Sequence, residues 1–159
     1  MGVLQLGGLR FACALGRSGC RAMKREGDGA TPLGSFRLDH VFWRADRAPR
    51  PRTGLPVTPI RYQDGWCDAI SDRNYNRRVH HPYPASAERL WREDRLYNIV
   101  VVLDHNQRPR IRGHGSAVFM HVAAARLTPT AGCIALNVRD LRLVLERIGR
   151  GVRIIVGRS

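Results

Sequence analysis

The segment from residue 119 to residue 136 constrains the fold of this chain more than any other. It contains an apolar run that ends at His121, a loop with a proline, and the sequence Thr-Ala-Gly-Cys that ends at Cys133, twelve residues after His121. A strand, a loop and a tight glycine turn would bring the two side chains together. The pattern therefore predicts a thiol nucleophile with an imidazole as its base.

The residues around Cys133 suit this chemistry. A free thiol has a pKa near 8.5, so a base such as His121 is needed to take its proton and hold the thiolate as an ion pair. Gly132 permits a tight turn after Ala131, and backbone N–H groups of this turn are predicted to hold the oxyanion of an acyl-transfer intermediate. The alternative interpretation is structural, with a core cysteine and a half-buried histidine.

The pattern of apolar residues predicts a mainly β fold. The predicted strands lie at residues 3–15 (two strands broken at Gly7-Gly8), from about residue 35, at 62–70 (a pair around Gly65), at 96–103, at 111–121 and at 152–156. Residues 44–59 contain four prolines and are expected to form an exposed loop or sheet edge. Residues 72–84 are expected to be irregular.

One or two short helices complete the predicted fold. Residues 137–149 place apolar side chains at i, i+3, i+4 and i+7 from Leu141, with Asn137 as the N-cap. Residues 85–95 are predicted to form a second helix, with Ser86 as its N-cap. Because strands and helices do not alternate regularly, a doubly wound parallel sheet is disfavoured.

The length and charge of the chain narrow its class. A chain of 159 residues suits one domain, spanning residues 1–159, with a core that does not need disulfides. The formal net charge is +14, and Lys24 is the only lysine among the 27 basic residues. The arginines are scattered, so nucleic-acid binding is not expected. A general attraction to anionic partners, such as a polyanionic cell wall, is expected instead.

Cysteine and histidine usage gives no sign of a metal or organic cofactor. The four cysteines (Cys13, Cys20, Cys67 and Cys133) form no C-x-x-C pair, and adjacent His80 and His81 would face opposite sides of a strand. His114 either shares a cleft with His121 or lies in an exposed loop. Residues 1–19 lack the pattern of a signal peptide, and no apolar run is long enough to span a membrane.

Four motifs, in order and covering nearly the whole chain, resemble one enzyme family. Residues 113–121 (GHGSAVFMH) and 128–136 (TPTAGCIAL) resemble the active-site segment of the bacterial L,D-transpeptidases, the YkuD-type catalytic domain. Residues 24–36 (KREGDGATPLGSF) resemble the family's entry segment, Gly-x-x-x-Thr-Pro-x-Gly-x-Phe/Tyr. Residues 88–97 (ERLWREDRLY) resemble a branch of the same family.

The resemblance implies a β-sandwich-like catalytic domain and assigns roles to matching residues. His121 matches the base and Cys133 the nucleophile, while Gly132 matches the turn glycine and Thr130 the Ser/Thr position of the motif. Thr130 and His114 are the expected substrate-binding residues.

Two positions depart from the family pattern. Ala131 stands where a second histidine is usual, and Ala135 stands where many members carry an arginine. These departures bear on how the substrate carboxylate is held and how well the oxyanion site is supported.

The reaction implied by the resemblance is acyl transfer on peptidoglycan. Cys133 would attack the L,D peptide bond of a tetrapeptide stem, and an amine acceptor would resolve the acyl-enzyme, giving a 3→3 cross-link or an exchange of the terminal D-amino acid. No cofactor is implied. The alternatives are an L,D-carboxypeptidase with water as acceptor and a non-catalytic basic domain that binds cell wall or nucleic acid. The expected location is the periplasm or cell wall, with the cytoplasm as the alternative because no leader is evident.

Overall fold

The computed structural model describes residues 1–157 as a mainly β structure with one α-helix. Residues 158–159, which the predicted domain includes, lie outside the described residues. The strands are β1 (Gly2–Leu6), β2 (Leu9–Ala14), β3 (Cys20–Arg21), β4 (Thr31–Pro32), β5 (Gly34–Trp43), β6 (Val57–Pro59), β7 (Asp64–Cys67), β8 (Arg78–His80), β9 (Ala87–Arg89), β10 (Ile99–Leu103), β11 (Phe119–Val122), β12 (Ile134–Leu136) and β13 (Arg153–Val156), and the helix is α1 (Val138–Leu145).

A mixed sheet forms the centre of the molecule. Its strands lie in the order β1-β2-β12-β11-β10-β5-β13, and the short strand β6 pairs with β5. Most neighbours are antiparallel, but β11 and β12 run parallel. Every residue of β10 is buried, as expected of a strand that is covered on both faces.

The two faces of this sheet carry two separate apolar clusters. Alternate side chains of β11 and β12 point to opposite faces, as the pleat requires. Met120 and Ile134 join the cluster that packs under α1, whereas Phe119 and Cys133 join the cluster on the other face. The nucleophile candidate therefore lies on the face away from the helix.

A three-stranded sheet in the order β8-β7-β9 forms a second, smaller layer on the Cys133 side. Trp66 of β7 packs edge-on against Phe119 of β11, with ring centroids 5.2 Å apart. Asp64, fully buried at the start of β7, accepts hydrogen bonds from the Arg78 guanidinium and the Arg61 backbone N–H. This layer gives the fold its sandwich-like character and forms one wall over the site.

Several sequence predictions are confirmed. The strands β1 and β2 meet at Gly7-Gly8, β5 begins next to Ser35, and β10 and β13 lie within their predicted ranges. Asn137 caps α1, since its side chain accepts a hydrogen bond of 3.0 Å from the Arg139 N–H.

Among residues 1–157, every helix is too short to span a bilayer, which takes roughly 20 residues.

The predicted helix at 85–95 is wrong. Residues 87–89 instead form β9, which pairs with β7, and the Leu90 N–H donates to the Asp64 carbonyl. The side chain of Leu90 is fully buried on the Cys133 side of the central sheet. Pairing with β7 and burial of this leucine outweigh a helical propensity that is only a weak preference.

Three further predictions need correction. Gly65 lies inside the single strand β7 and not between two strands, because it pairs with Val79 on one side and Arg89 on the other. A glycine is needed there, since a Cβ would lie 2.5 Å from Nε2 of His81. The expected irregular region 72–84 contains β8. Residues 44–59, by contrast, end in β6, a three-residue strand that pairs only with β5, which agrees with the predicted sheet edge. The predicted strand 111–121 is regular only from Phe119, since the preceding residues Gly113, Gly115 and Ala117 all have positive φ.

The apolar face of α1 gives a direct test of the core. We expect Leu141→Ala to lower the free energy of unfolding by about 2–5 kcal/mol, because Leu141 is fully buried and its truncation leaves a cavity. Leu143→Ala, on the same helix but 40% exposed, is the matched control and should cost well under half as much. Urea unfolding of both variants measures the difference, and equal losses would contradict this placement of the core.

Candidate active site

The parallel pairing of β11 and β12 places His121 and Cys133 on one face of the sheet. His121 pairs with Ala135, and Cys133 lies two residues before Ala135, so its side chain shares that face. Both residues line a cleft of about 470 Å³. The structure thus brings together the two side chains on which the sequence prediction depends.

The thiol of Cys133 is held between two backbone groups. The Phe119 N–H donates to Sγ at 3.4 Å, and the thiol donates to the Ala117 carbonyl oxygen at 3.3 Å. Burial raises the pKa of Cys133 to about 12, and the negative charge of Glu88 adds to this, while the Phe119 N–H and Lys24 oppose it. The resting thiol is therefore neutral near pH 7.

The imidazole of His121 is fixed in one tautomer. Its Nδ1 lies 2.8 Å from the Val122 carbonyl oxygen, and because a carbonyl can only accept, Nδ1 carries the hydrogen. Burial lowers the pKa of His121, with the Val122 bond as a smaller opposing effect. The neutral imidazole then has its lone pair on Nε2, which is the form that a general base requires.

These two pKa directions describe a neutral thiol and a neutral imidazole that line the same cleft. The thiolate–imidazolium ion pair expected from the sequence is disfavoured at rest, because burial penalises the charged form of both groups. Proton transfer from sulfur to nitrogen would then accompany the attack of sulfur on a substrate, since the thiol at rest donates to the Ala117 carbonyl.

The turn before Cys133 requires a glycine. Gly132 has a φ of +139°, and a Cβ there would lie 2.8 Å from the Ala30 carbonyl oxygen. Thr130 fixes the same turn, since its Oγ1 accepts from the Gly132 N–H at 3.1 Å and donates to the Cys133 carbonyl at 2.7 Å. Ala131 is exposed and lines the cleft.

The carbonyl that faces the thiol is itself held in place. Ala117 has a φ of +50°, which is uncommon for a residue with a side chain, and its N–H donates to Oδ1 of Asn76. Asn76 is buried, accepts a second hydrogen bond from Nε1 of Trp66, and donates from Nδ2 to two carbonyl groups of the 105–106 turn. An amide from the connection between β7 and β8 thus fixes the backbone that contacts Sγ.

His114 lies apart from this cleft. Its side chain is exposed and is not among the residues that line the cleft, so the geometry favours the exposed-loop alternative. Within residues 1–157, no group of three or more His, Cys, Asp or Glu side chains is arranged to hold a metal ion. The thiols of Cys13, Cys20 and Cys67 are free.

The sequence prediction missed the charged walls of the cleft. The residues concerned are Lys24, Glu26, Asp68, Glu88 and Arg92. Two signals in the sequence point to them: Lys24 is the only lysine of the chain, and Glu88 and Arg92 lie in one of the four family-like motifs. Neither signal shows by itself that these residues face Cys133.

Tyr97 links the charged residue Glu88 to His121. Its hydroxyl donates to Glu88 at 2.5 Å, and its ring packs edge-on against His121 with centroids 5.2 Å apart. The Arg92 guanidinium lies over the same ring, 5.1 Å from its centroid. Burial raises the pKa of Glu88, which the hydrogen bond from Tyr97 and the charge of Arg92 oppose. Tyr97 therefore limits the orientations open to the imidazole.

A thiol, an imidazole with its lone pair on Nε2 and a rigid turn next to the thiol are the features expected of a site for cysteine-dependent acyl transfer. The family model of YkuD, the L,D-transpeptidase catalytic domain, matches residues 3–156. The chain belongs to this family, whose members act on peptidoglycan. The search of curated proteins and the search of solved structures gave no match.

The requirement for glycine at position 132 can be tested by comparing its replacement with that of Gly7. We expect Gly132→Ala to unfold at a lower temperature than Gly7→Ala, because Gly7 also has a positive φ but no atom within 4 Å of an added Cβ. Gly7→Ala should cost only the backbone strain, about 1–2 kcal/mol. Thermal unfolding followed by circular dichroism compares the two, and equal shifts would show that the contact with Ala30 is unimportant.

The raised pKa of Cys133 predicts the pH dependence of its alkylation. We expect the rate with iodoacetamide to keep rising with pH beyond 8.5, the usual value for a thiol, because the folded site disfavours the thiolate. In denaturant the midpoint should return to about 8.5. Peptide mass spectrometry separates Cys133 from the other cysteines, and a midpoint well below 8.5 in the folded protein would indicate an ion pair instead.

Proposed function

We propose that this chain is a peptidoglycan L,D-transpeptidase with Cys133 as its nucleophile and His121 as its general base. The observation that carries the proposal is the shared face of β11 and β12, which presents both side chains to one cleft, with the hydrogen on Nδ1 and the lone pair on Nε2 of His121. We take residues 1–159 as one catalytic domain.

In the first half of the reaction, Sγ of Cys133 attacks the carbonyl carbon at the L-centre of the third stem residue. The thiol proton passes to Nε2 of His121 as the sulfur–carbon bond forms. Collapse of the tetrahedral intermediate breaks the L,D peptide bond, and the imidazolium gives its proton to the leaving amine of the terminal D-residue. The product on the enzyme is a thioester.

In the second half, an amine acceptor attacks the thioester carbonyl while Nε2 of His121 takes a proton from the amine. The carbon–sulfur bond breaks, and the imidazolium returns the proton to Sγ of Cys133. An acceptor amine on a second stem gives a 3→3 cross-link, and a free D-amino acid gives an exchange product. Water in place of the amine would give the carboxypeptidase reaction.

The turn and the charged walls support this proposal. The two hydrogen bonds of Thr130, from the Gly132 N–H and to the Cys133 carbonyl, hold the turn rigid and fix the backbone that carries the thiol. A site held in position before the reaction lowers its barrier. The carboxylates and cations that line the cleft suit a stem peptide that carries both ammonium and carboxylate groups. We assign no binding of nucleic acid to the chain.

The location proposed for this activity is the periplasm or the cell wall, where the substrate lies. The formal charge of +14 favours attraction to an anionic wall polymer. The attraction is electrostatic, so it should weaken as the salt concentration rises.

Product analysis tests the function. We expect the wild-type protein, incubated with a disaccharide-tetrapeptide, to form a dimer or, with an added D-amino acid, an exchange product, and we expect Cys133→Ala to form neither. Mass spectrometry distinguishes the products. A tripeptide without dimer would support the carboxypeptidase alternative.

The control for this experiment is the fold of the variant. Cys133→Ala should retain the circular dichroism spectrum of the wild type, since it only shortens one buried side chain. Full turnover by a folded Cys133→Ala would disprove the nucleophile, and absence of any product from a folded wild-type protein would favour the non-catalytic binding domain.

A further inference from the structure

The only lysine of the chain is buried in the cleft that contains Cys133. Lys24 is 7% exposed and lines the cleft together with Gly132 and Cys133. Lysine is among the residues least often buried, and every other basic residue here is an arginine. A single lysine in this position therefore needs an explanation.

Gly115 leaves room for the Lys24 side chain, and Gly132 lies next to its ammonium group. A Cβ on Gly115, whose φ is +93°, would lie 2.8 Å from Cγ of Lys24. A Cβ on Gly132 would lie 3.5 Å from the Lys24 Nζ. The side chain thus passes along Gly115, and its ammonium group ends beside the turn that precedes Cys133.

Contacts within the entry segment hold the ammonium group in place. Nζ of Lys24 donates to Oδ1 of Asp28 at 2.5 Å and to the Arg25 carbonyl at 3.0 Å. The Asp28 carboxylate also accepts from the backbone N–H groups of Arg25 and Ala30. Although burial opposes it, these hydrogen bonds, with that from Lys24 first, lower the pKa of Asp28 to about 2.

These contacts use two of the three hydrogens of the ammonium group. The third is left for a group in the cleft, since the contacts among residues 1–157 give it no acceptor. The position beside Gly132 is where negative charge develops when Cys133 reacts. A fixed cation acts more strongly there than in bulk water because Cys133 is buried.

We propose that Lys24 is a catalytic residue, whose ammonium group stabilises the negative charge that develops at Cys133 and on the tetrahedral intermediate. The expected effect of Lys24 on kcat rests on the proposed function. A compact ammonium group fits between Gly115 and Gly132, where a planar guanidinium would need more room. Asp28 holds the cation in position and partly offsets its charge, so the effect should be smaller than that of a full oxyanion donor.

The competing explanation is structural, because a buried ion pair can simply hold the entry segment together. The two explanations differ once Asp28 is neutral. Asp28→Asn breaks the ion pair but keeps the ammonium group, whereas the double variant Lys24→Met, Asp28→Asn also removes the ammonium group. Comparing the double variant with Asp28→Asn isolates the cation in the same background.

We expect the double variant to have a kcat about 10 to 100 times lower than Asp28→Asn, with KM nearly unchanged. We also expect its Cys133 to react more slowly with iodoacetamide at every pH below the pKa, because the thiolate has lost a stabilising charge. Equal kcat and equal alkylation rates would show that Lys24 is only structural. A raised KM at constant kcat would show that it binds a substrate carboxylate instead, and would also overturn the proposal.

A second measurement does not depend on activity. The single lysine gives one side-chain NMR signal in protein labelled with ¹⁵N-lysine. Alkylation of Cys133 with iodoacetate adds a carboxylate, whereas iodoacetamide adds a neutral group of nearly the same shape. We expect the Lys24 signal to shift clearly more with the carboxylate than with the amide.

Equal shifts of the Lys24 signal with the two reagents would overturn the placement of the ammonium group beside Cys133. The two proposals can fail separately. If Cys133→Ala keeps full turnover, the proposed function is wrong, while the alkylation rates and the NMR comparison still report whether Lys24 acts on Cys133.

Discussion

The register between β11 and β12 is the constraint on which the site depends. With His121 opposite Ala135, the side chains of His121 and Cys133 both point to the face covered by the small sheet. Because side chains alternate with a period of two, a shift of one residue would turn one of them towards the core under α1. The apolar neighbours Met120 and Ile134 on one face, and Phe119 on the other, fix this register by burial.

Burial of the site on this face has an electrostatic consequence. It keeps the thiol and the imidazole neutral at rest, so charge appears only while a reaction proceeds. Such a site needs fixed partners that are already in position when the charge forms. The Val122 carbonyl provides one for His121, and the ammonium group of Lys24 is placed to provide one for Cys133.

The parts of the fold that local patterns determine were predictable from the sequence. The period of apolar residues identified α1 and β10, and the glycine before Cys133 identified the turn. The prediction of a helix at 85–95 was wrong because residues 87–89 pair with β7, a strand about twenty residues earlier in the chain. The positions of Lys24 and Asn76 next to the Cys133 region were not predicted for the same reason, since both depend on contacts between distant segments. The pairing of His121 with Cys133 was inferred from a motif, and the cleft now gives both residues a common surface.

The near absence of lysine has a consequence for an enzyme that would carry a thioester. A thioester is consumed by primary amines, and the ε-amino group of lysine is the usual one on a protein surface. In this chain the surface cations are guanidinium groups, which stay protonated and are poor nucleophiles, and the single side-chain amine is buried and held by Asp28. The protein can therefore be strongly basic towards an anionic polymer without offering its own side chains as competing acceptors for the acyl group.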